Sequence, residues 1–312
     1  MKSCSTTTSR YWEVWRKSVL SSSAKTSERI CKYSAQVREQ GFGVQNAGKQ
    51  KGEEMKQYHV RCKTLEIPAG GHRIHGEFLT PEGVPGPLPT VIVSHGLNST
   101  GAWTKCSEGI PLAEAGFAVY CFDFWGGSMK SASGGDMKDM TVFTEKDDLN
   151  AVIDHMKALD TVDSTRLFLL GESQGGFVSA VTAAGRPQDI RAMVLYYPAF
   201  CIPHDARARH SSIENVPETE RFGPCVLGRA YNTSVWDYDV YSVIPGYRGP
   251  VLILHGDADK LVDISYGKCA AEVYENAEFV VMHREPHGFS LLGRKRAAKF
   301  SAEFLKKVMA GA

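Results

Sequence analysis

No apolar run in the 312-residue chain approaches the length of a bilayer-crossing helix, so a helical membrane protein is not expected. The start of the chain also lacks the apolar core of a secretory signal. Lys2 is followed by a Ser/Thr cluster, and Tyr11-Trp-Glu-Val-Trp15 is too short and too charged. Net charge is nearly absent, at +1, and there is no broad basic stripe to suggest a nucleic-acid partner. None of the eight cysteines forms a Cys-x-x-Cys pair, so neither a zinc site nor a redox motif is expected. Cys121 lies in an apolar run and reads as a buried small hydrophobe. Scattered thiols without an export signal fit a reducing compartment, and the protein is expected to be cytoplasmic. No lysine follows Gly126-Gly127 or Gly134-Gly135 at the spacing of a nucleotide-phosphate loop. Asn98-Ser-Thr and Asn232-Thr-Ser match a glycosylation acceptor, but without export they read as chance. No internal repeat is present.

The length suits one large α/β domain. Residues 1–55 differ from the rest, with ten Lys/Arg against five Glu and no sustained apolar periodicity. They are expected to form a loosely ordered basic extension, with Met55 as an alternative start. The globular domain is expected over 56–312. Arg61–Ile67 and His72–Leu79 read as strands around the turn-forming Pro68–Gly71. Continuous β-branched and apolar runs at Thr90–Ser94, Phe117–Phe122, Leu167–Gly171, Ala192–Tyr197 and Val251–His255 suit strands buried on both faces. Glu278–Met282 reads as a further strand. Helices are expected over Cys106–Ala115, around Leu149, Val152, Ile153 and Met156, over Phe177–Ala184, Ser265–Tyr274 and Arg294–Met309. Thr144 with Asp147 is the candidate capping box of the second of these. Strands alternating with helices predict a mostly parallel sheet covered on both faces. The Ser/Gly-rich Asp123–Asp139 is expected to be an irregular loop. The polar stretch Pro198–Trp236, which carries Pro203, Pro217 and Pro224 as well, reads as a short lid insertion over the site rather than a sheet element.

The sequence Gly171-Glu172-Ser173-Gln174-Gly175 ends one of the buried strands and opens a helix. That is the context a nucleophile elbow needs: small neighbours, a raised serine, and a helix start aimed at developing negative charge. A serine hydroxyl needs a base, and the base needs an orienting acid. Both are available in the order Ser, Asp, His, in loops beyond later strands. His287 is the candidate general base and acid, ahead of His283, while His95 and His255 read as structural. Asp259 is the candidate acid, ahead of Asp257 and Asp263. The main-chain N–H groups of Leu97 and Gln174 are the candidate oxyanion donors. Glu172 reads as a hydrogen-bonded polar residue beneath the elbow. Tyr196, Tyr197 and Trp236 are candidates for an apolar or stacking surface, with ordinary core as the alternative.

With these residues in hand, the chain resembles the α/β-hydrolase superfamily, and within it the bacterial cinnamoyl (feruloyl) esterase-type carboxylesterases. The matching residues are Ser94-His95-Gly96, Cys121-Phe-Asp-Phe124, Asp139-Met-Thr-Val142 with Glu145, Gly171–Gly175, His255–Asp259 and His287-Gly-Phe289, spanning about 60–310. The resemblance implies an α/β-hydrolase fold, a Ser173–Asp259–His287 triad, Leu97 and Gln174 as oxyanion donors, and ester hydrolysis through an acyl-enzyme without cofactor or metal. The chain departs from the family at Leu97, where an aromatic is frequent, in a longer Trp125–Asp136 loop and in a shorter insertion. Residues 1–55 have no counterpart. The expected partner is a small-molecule ester, with neither nucleic acid nor membrane, and a homodimer is left open. The rival readings are an amidase or peptidase of the same fold, and a non-catalytic binding protein that kept the fold.

Overall fold

The computed structural model describes residues 57–311; the basic extension expected over 1–55 lies outside them. Strands β1 (Val60–Ala69), β2 (His72–Pro81) and β3 (Leu88–Ser94) come first. A short helix α1 (Gly101–Thr104) then runs through a π-helical turn, Lys105–Gly109, into α2 (Ile110–Glu114) and β4 (Ala118–Phe122). Next are α3 (Val142–Lys157), β5 (Val162–Glu172), α4 (Gln174–Gly185) and β6 (Ala192–Tyr196). Between β6 and the next strand of the sheet lie α5 (Ile202–Arg209), the hairpin β7 (Thr219–Phe222) and β8 (Cys225–Gly228), α6 (Arg229–Thr233) and α7 (Val240–Val243). The chain closes with β9 (Val251–Gly256), α8 (Ile264–Val273), β10 (Ala277–Met282) and α9 (Leu291–Ala310).

The main sheet has the order β1-β2-β4-β3-β5-β6-β9-β10. From β4 to β10 every pairing is parallel, while β1–β2 and β2–β4 are antiparallel. The period of two sorts the central strands onto two cores. Ile92, Leu167, Leu169, Met193, Leu195 and Ile253 face one. Val91, Val93, Phe168, Leu170, Val194 and Leu254 face the other. All twelve are buried, which is why these strands read as unbroken apolar runs. Helices α3 and α4 contribute to the first core and α9 to the second. Cys121 is fully buried in the second.

Local signals explain most boundaries, and some differ from the sequence expectation. The capping box of α3 is Thr141 with Thr144, not Thr144 with Asp147: the Thr141 hydroxyl accepts from the Thr144 N–H at 3.1 Å, and the Thr144 hydroxyl accepts from the Thr141 N–H at 2.9 Å. The helix expected at Cys106 starts earlier, at Gly101, because Thr100 caps it. Gly101 lies against the backbone of Phe122, so a side chain there would collide. Helix α9 starts at Leu291 rather than Arg294, with Ser290 accepting from the Gly293 N–H. The Asp123–Asp139 segment is irregular but tied down. Asp123 accepts from the N–H groups of Gly101 (2.5 Å) and Ala132 (2.6 Å), and Ser133 bridges the Asp123 carbonyl to the His75 N–H. The segment 198–236 stays out of the main sheet as expected. It does form the separate hairpin β7–β8, and non-sheet chain continues past Trp236 to Pro250.

Candidate active site

The end of β5 enters a turn that ordinary residues avoid. Ser173 has φ 52° and ψ −116°, a strained combination for a residue with a side chain, and α4 begins at the next residue. Glycines make the turn feasible. A Cβ on Gly175 would overlap the carbonyl oxygens of Ser94 and His95, and one on Gly171 would meet the Ser179 hydroxyl at 2.6 Å. The strained residue is pinned from three sides. Its N–H donates to the Tyr196 carbonyl at 3.0 Å, and its own carbonyl accepts from Gly176 (3.0 Å) and Ala199 (2.9 Å).

Two further loops converge on this serine. After β9, the Asp259 carboxylate accepts from the Leu261 and Val262 N–H groups at 2.8 and 2.9 Å. After β10, the chain folds back through positive φ at Arg284 (62°), Gly288 (81°) and Phe289 (50°). This brings His287 Nδ1 to 2.8 Å from Asp259 Oδ2 and Nε2 to 3.0 Å from Ser173 Oγ. The imidazole rests against the Tyr197 ring, with centroids 4.7 Å apart. Burial works against the Asp259 charge, but hydrogen bonds from His255 and His287, the imidazole charge and the Val262 N–H outweigh it. The carboxyl is held well below the usual carboxylate range.

None of the competing residues bonds the Ser173 hydroxyl. Asp257 accepts from His283 Nδ1 at 2.9 Å and from the Arg284 N–H at 2.6 Å, an exposed pair apart from the serine. Asp263 caps α8. His255 is buried behind Asp259, with Nε2 at 3.0 Å from the Val262 carbonyl and 3.4 Å from Asp259 Oδ2. His95 is buried too, and desolvation lowers its pKa. The Phe124 N–H donates to His95 Nε2, so the proton sits on Nδ1 and bonds the Gly96 carbonyl at 2.7 Å. That bond holds the loop carrying Leu97. Gly96 is so close to the serine that a Cβ there would sit 3.1 Å from Ser173 Cβ. Among the described residues, neither the Leu97 nor the Gln174 N–H has a protein acceptor.

Two buried polar networks surround the turn. In one, the Gln174 amide donates to Glu145 Oε2 at 2.9 Å and accepts from the Tyr231 hydroxyl at 2.7 Å. Tyr231 lies in α6, so the insertion reaches the residue following the serine. Burial raises the Glu145 pKa well above the carboxylate range. In the other, Arg294 Nη1 donates to Glu108 at 2.9 Å and to Glu172 at 3.2 Å, and the Tyr197 hydroxyl donates to Glu172 at 3.2 Å. Burial and the neighbouring Glu172 carboxylate raise the Glu108 pKa well above its ordinary value. Glu172 therefore does lie hydrogen-bonded beneath the turn. Tyr196 and Tyr197, candidates for a stacking surface, belong to the core instead: both are buried, and the Tyr196 hydroxyl pairs with Ser301 at 2.7 Å. Trp236 is half-buried against the first core.

Sequence reading passed over Glu108, Tyr231 and the polar role of Arg294. Their signals are weak, because an isolated Glu or Arg in an amphipathic helix reads as a solvated face. Among the described residues, no group of three or more His, Cys, Asp or Glu is arranged to hold a metal ion. No helix among them is long and apolar enough to cross a membrane.

Comparison with known proteins agrees with this architecture. A family model described as serine aminopeptidase, S33, matches residues 86–221. The solved structure of Est1E from Butyrivibrio proteoclasticus with ferulic acid bound superposes with a TM-score of 0.70 at 25% identity, covering 79% of this chain and 98% of that one. Alpha/beta hydrolase domain-containing protein 10 from mouse superposes at 0.64 with 16% identity, covering 80% and 99%. The chain has the α/β-hydrolase fold. Within that fold it resembles feruloyl esterases: feruloyl esterase B of Neurospora crassa is 28% identical over 128 residues, 39% of this chain. The chain spans about two fifths (40%) of the length of that curated relative.

Proposed function

We propose that the protein is a serine hydrolase of carboxylic esters, with Ser173, His287 and Asp259 as its triad. The carrying observation is the continuous pair of hydrogen bonds from Ser173 through His287 to Asp259 at a strained strand-to-helix turn. His287 Nε2 takes the hydroxyl proton as Ser173 Oγ attacks the ester carbonyl carbon. Asp259, ionised throughout, holds the imidazole in the tautomer with Nδ1 protonated and stabilises the imidazolium. The tetrahedral oxyanion accepts from the Leu97 and Gln174 N–H groups. Each such donor typically contributes about 3 kcal/mol to lowering the barrier. Collapse expels the alcohol, which takes its proton from His287. Water, deprotonated by the same nitrogen, then releases the acid. The chain segment between β6 and β9 acts as a lid, through Tyr231 on Gln174. The likeness to feruloyl esterases supports aromatic or short acyl esters as substrates.

The family model's description as an aminopeptidase favours a second reading, cleavage of amides. One panel tests both: aryl acetates, feruloyl esters and aminoacyl amides, with wild type beside Ser173→Ala. Ester turnover that vanishes in the variant, together with labelling of Ser173 by a fluorophosphonate, is expected. Faster turnover of amides than of esters replaces the first reading with the second. Wild type that neither turns over nor labels overturns both.

A further inference from the structure

Leu97 also lines a cleft of about 600 Å³. It is walled by Leu97, Asn98, Trp103, Met129, Lys130 and Pro224. A smaller cleft of about 400 Å³ continues past Met129 and Pro224. Three features mark the larger cleft as a place for a ligand. Trp103 and Met129 are 50% and 61% exposed, a cost that soluble proteins limit unless the surface is used. The Trp103 ring is fixed in place by the Arg294 guanidinium, 5.2 Å from its centroid. Lys130 is exposed beside them, and among the described residues its ammonium has no carboxylate partner.

The wall is built rather than loose. Asn98, at φ 58°, accepts from the Met129 N–H at 3.0 Å. The Ser128 hydroxyl accepts from the Lys130 N–H at 3.1 Å, and Ser131 ties the same turn to the Phe124 carbonyl at 2.9 Å. The far wall, Pro224, sits at the turn between β7 and β8. Indole and thioether surfaces favour flat apolar groups, and the ammonium favours an anion at their edge.

Resting on the reading of Ser173 and Leu97 given above, we infer that this cleft binds one half of the ester, a flat apolar group carrying an anionic substituent, and that Trp103 and Lys130 set the specificity for it. The cleft shares Leu97 with the proposed oxyanion loop, and that shared wall is what ties a group seated there to the ester under attack. The shared chemistry is an aryl carboxylate, borne on either the acyl or the alcohol half.

Two matched pairs of esters distinguish those sources: methyl 4-carboxycinnamate against its 4-carbamoyl analogue, and 4-carboxyphenyl acetate against 4-carbamoylphenyl acetate. At low ionic strength, kcat/KM is expected to favour the carboxylate member of one pair by about fivefold, the scale of a single exposed ion pair. That ratio falls towards one in Lys130→Ala and in high salt. Trp103→Ala lowers kcat/KM for both members of the same pair. A wild-type ratio near one in both pairs, or a ratio unchanged in Lys130→Ala, overturns the inference while leaving the esterase reading intact. If wild type cleaves no ester, the esterase reading fails instead. Equilibrium binding of 4-carboxycinnamate then judges the cleft alone: weakened binding in Lys130→Ala supports it, and equal binding overturns it.

Discussion

Glu108 is expected to keep its proton in the folded protein, and Glu108→Gln tests this. Arg294 carries one positive charge but faces two buried carboxyls, Glu108 and Glu172. Burial, then the Glu172 charge and a hydrogen bond to Glu172, raise the Glu108 pKa well above the ordinary carboxylate value. With Glu108 protonated, the cluster has one cation and one anion, and the acid O–H donates to Glu172. The unfolded chain releases that proton above an ordinary glutamate pKa near ~4.3. A raised folded pKa gives stability that is complete below the unfolded pKa and lost as pH rises through the folded one. Between the two, one proton is worth about 1.4 kcal/mol per pH unit. Wild type should therefore lose stability through this group as pH rises above the ordinary glutamate pKa.

Glutamine keeps the shape and supplies an N–H where the acid supplied its O–H. Urea denaturation of wild type and Glu108→Gln at several pH values between 5 and 7 reads the difference directly. The comparison removes the contributions of Glu145, raised in the same sense, and of His95, lowered in the opposite sense. The variant should gain on wild type as pH rises, by at most about 1.4 kcal/mol per pH unit. Parallel curves would show Glu108 ionised in the fold and refute the charge argument. Arg294→Met should behave oppositely, costing about 3–5 kcal/mol, because it leaves the Glu172 carboxylate buried without its cation.

Three other substitutions probe the site. Tyr231→Phe removes the hydroxyl that donates to Gln174, and should cost about 1–3 kcal/mol in urea denaturation and lower kcat while leaving KM largely intact. Gly175→Ala drives a methyl group into the carbonyls of Ser94 and His95, and should cost about 3 kcal/mol or more in thermal unfolding. Asp259→Asn should lower kcat by roughly 10⁴-fold, the scale known for such triads, with the fold retained by circular dichroism. Asp259 has a depressed folded pKa, so its contribution to stability persists above the unfolded pKa and disappears only as pH falls through the folded one. The acid limb of a kcat/KM profile should accordingly not follow Asp259.

What the sequence made legible was whatever leaves a local mark. The central parallel strands are buried on both faces, so Thr90–Ser94 and Val251–His255 stand out as apolar runs. The turn at Ser173 shows through glycines that only a crowded backbone requires. The capping box at Thr141 is hard to see in the sequence because its third position is Thr144, whose hydroxyl does the work of the more familiar Glu or Gln. The Glu108–Arg294–Glu172 cluster left no mark, since Arg294 lies 186 residues from Glu108 and 122 from Glu172. Nothing local distinguishes a buried ion pair from two solvated charges. The hairpin β7–β8 is not legible because its strands have only four residues each, too few to show an alternation.

Shared polarity of the strands puts Ser173, Asp259 and His287 along one edge of the sheet, but an edge is not a point. Strands β5 and β10 are separated by β6 and β9 in the sheet, so their ends lie about 14 Å apart at three strand spacings. Asp259, in the loop after β9, stands between and covers part of that distance. His287 must cross the rest, and positive φ at Arg284, Gly288 and Phe289 turns its loop back over the sheet. The end of β6 lies directly under that path. There Tyr197 adopts φ 36°, while its N–H donates to the Leu254 carbonyl at 2.8 Å and its ring meets both His287 and Phe289 at 4.7 Å. Its hydroxyl is held by Glu172, which Arg294 holds in turn. The buried ion pair thus supports the ring on which the imidazole rests, linking a charge cluster with no local signature to the position of Nε2 over the serine.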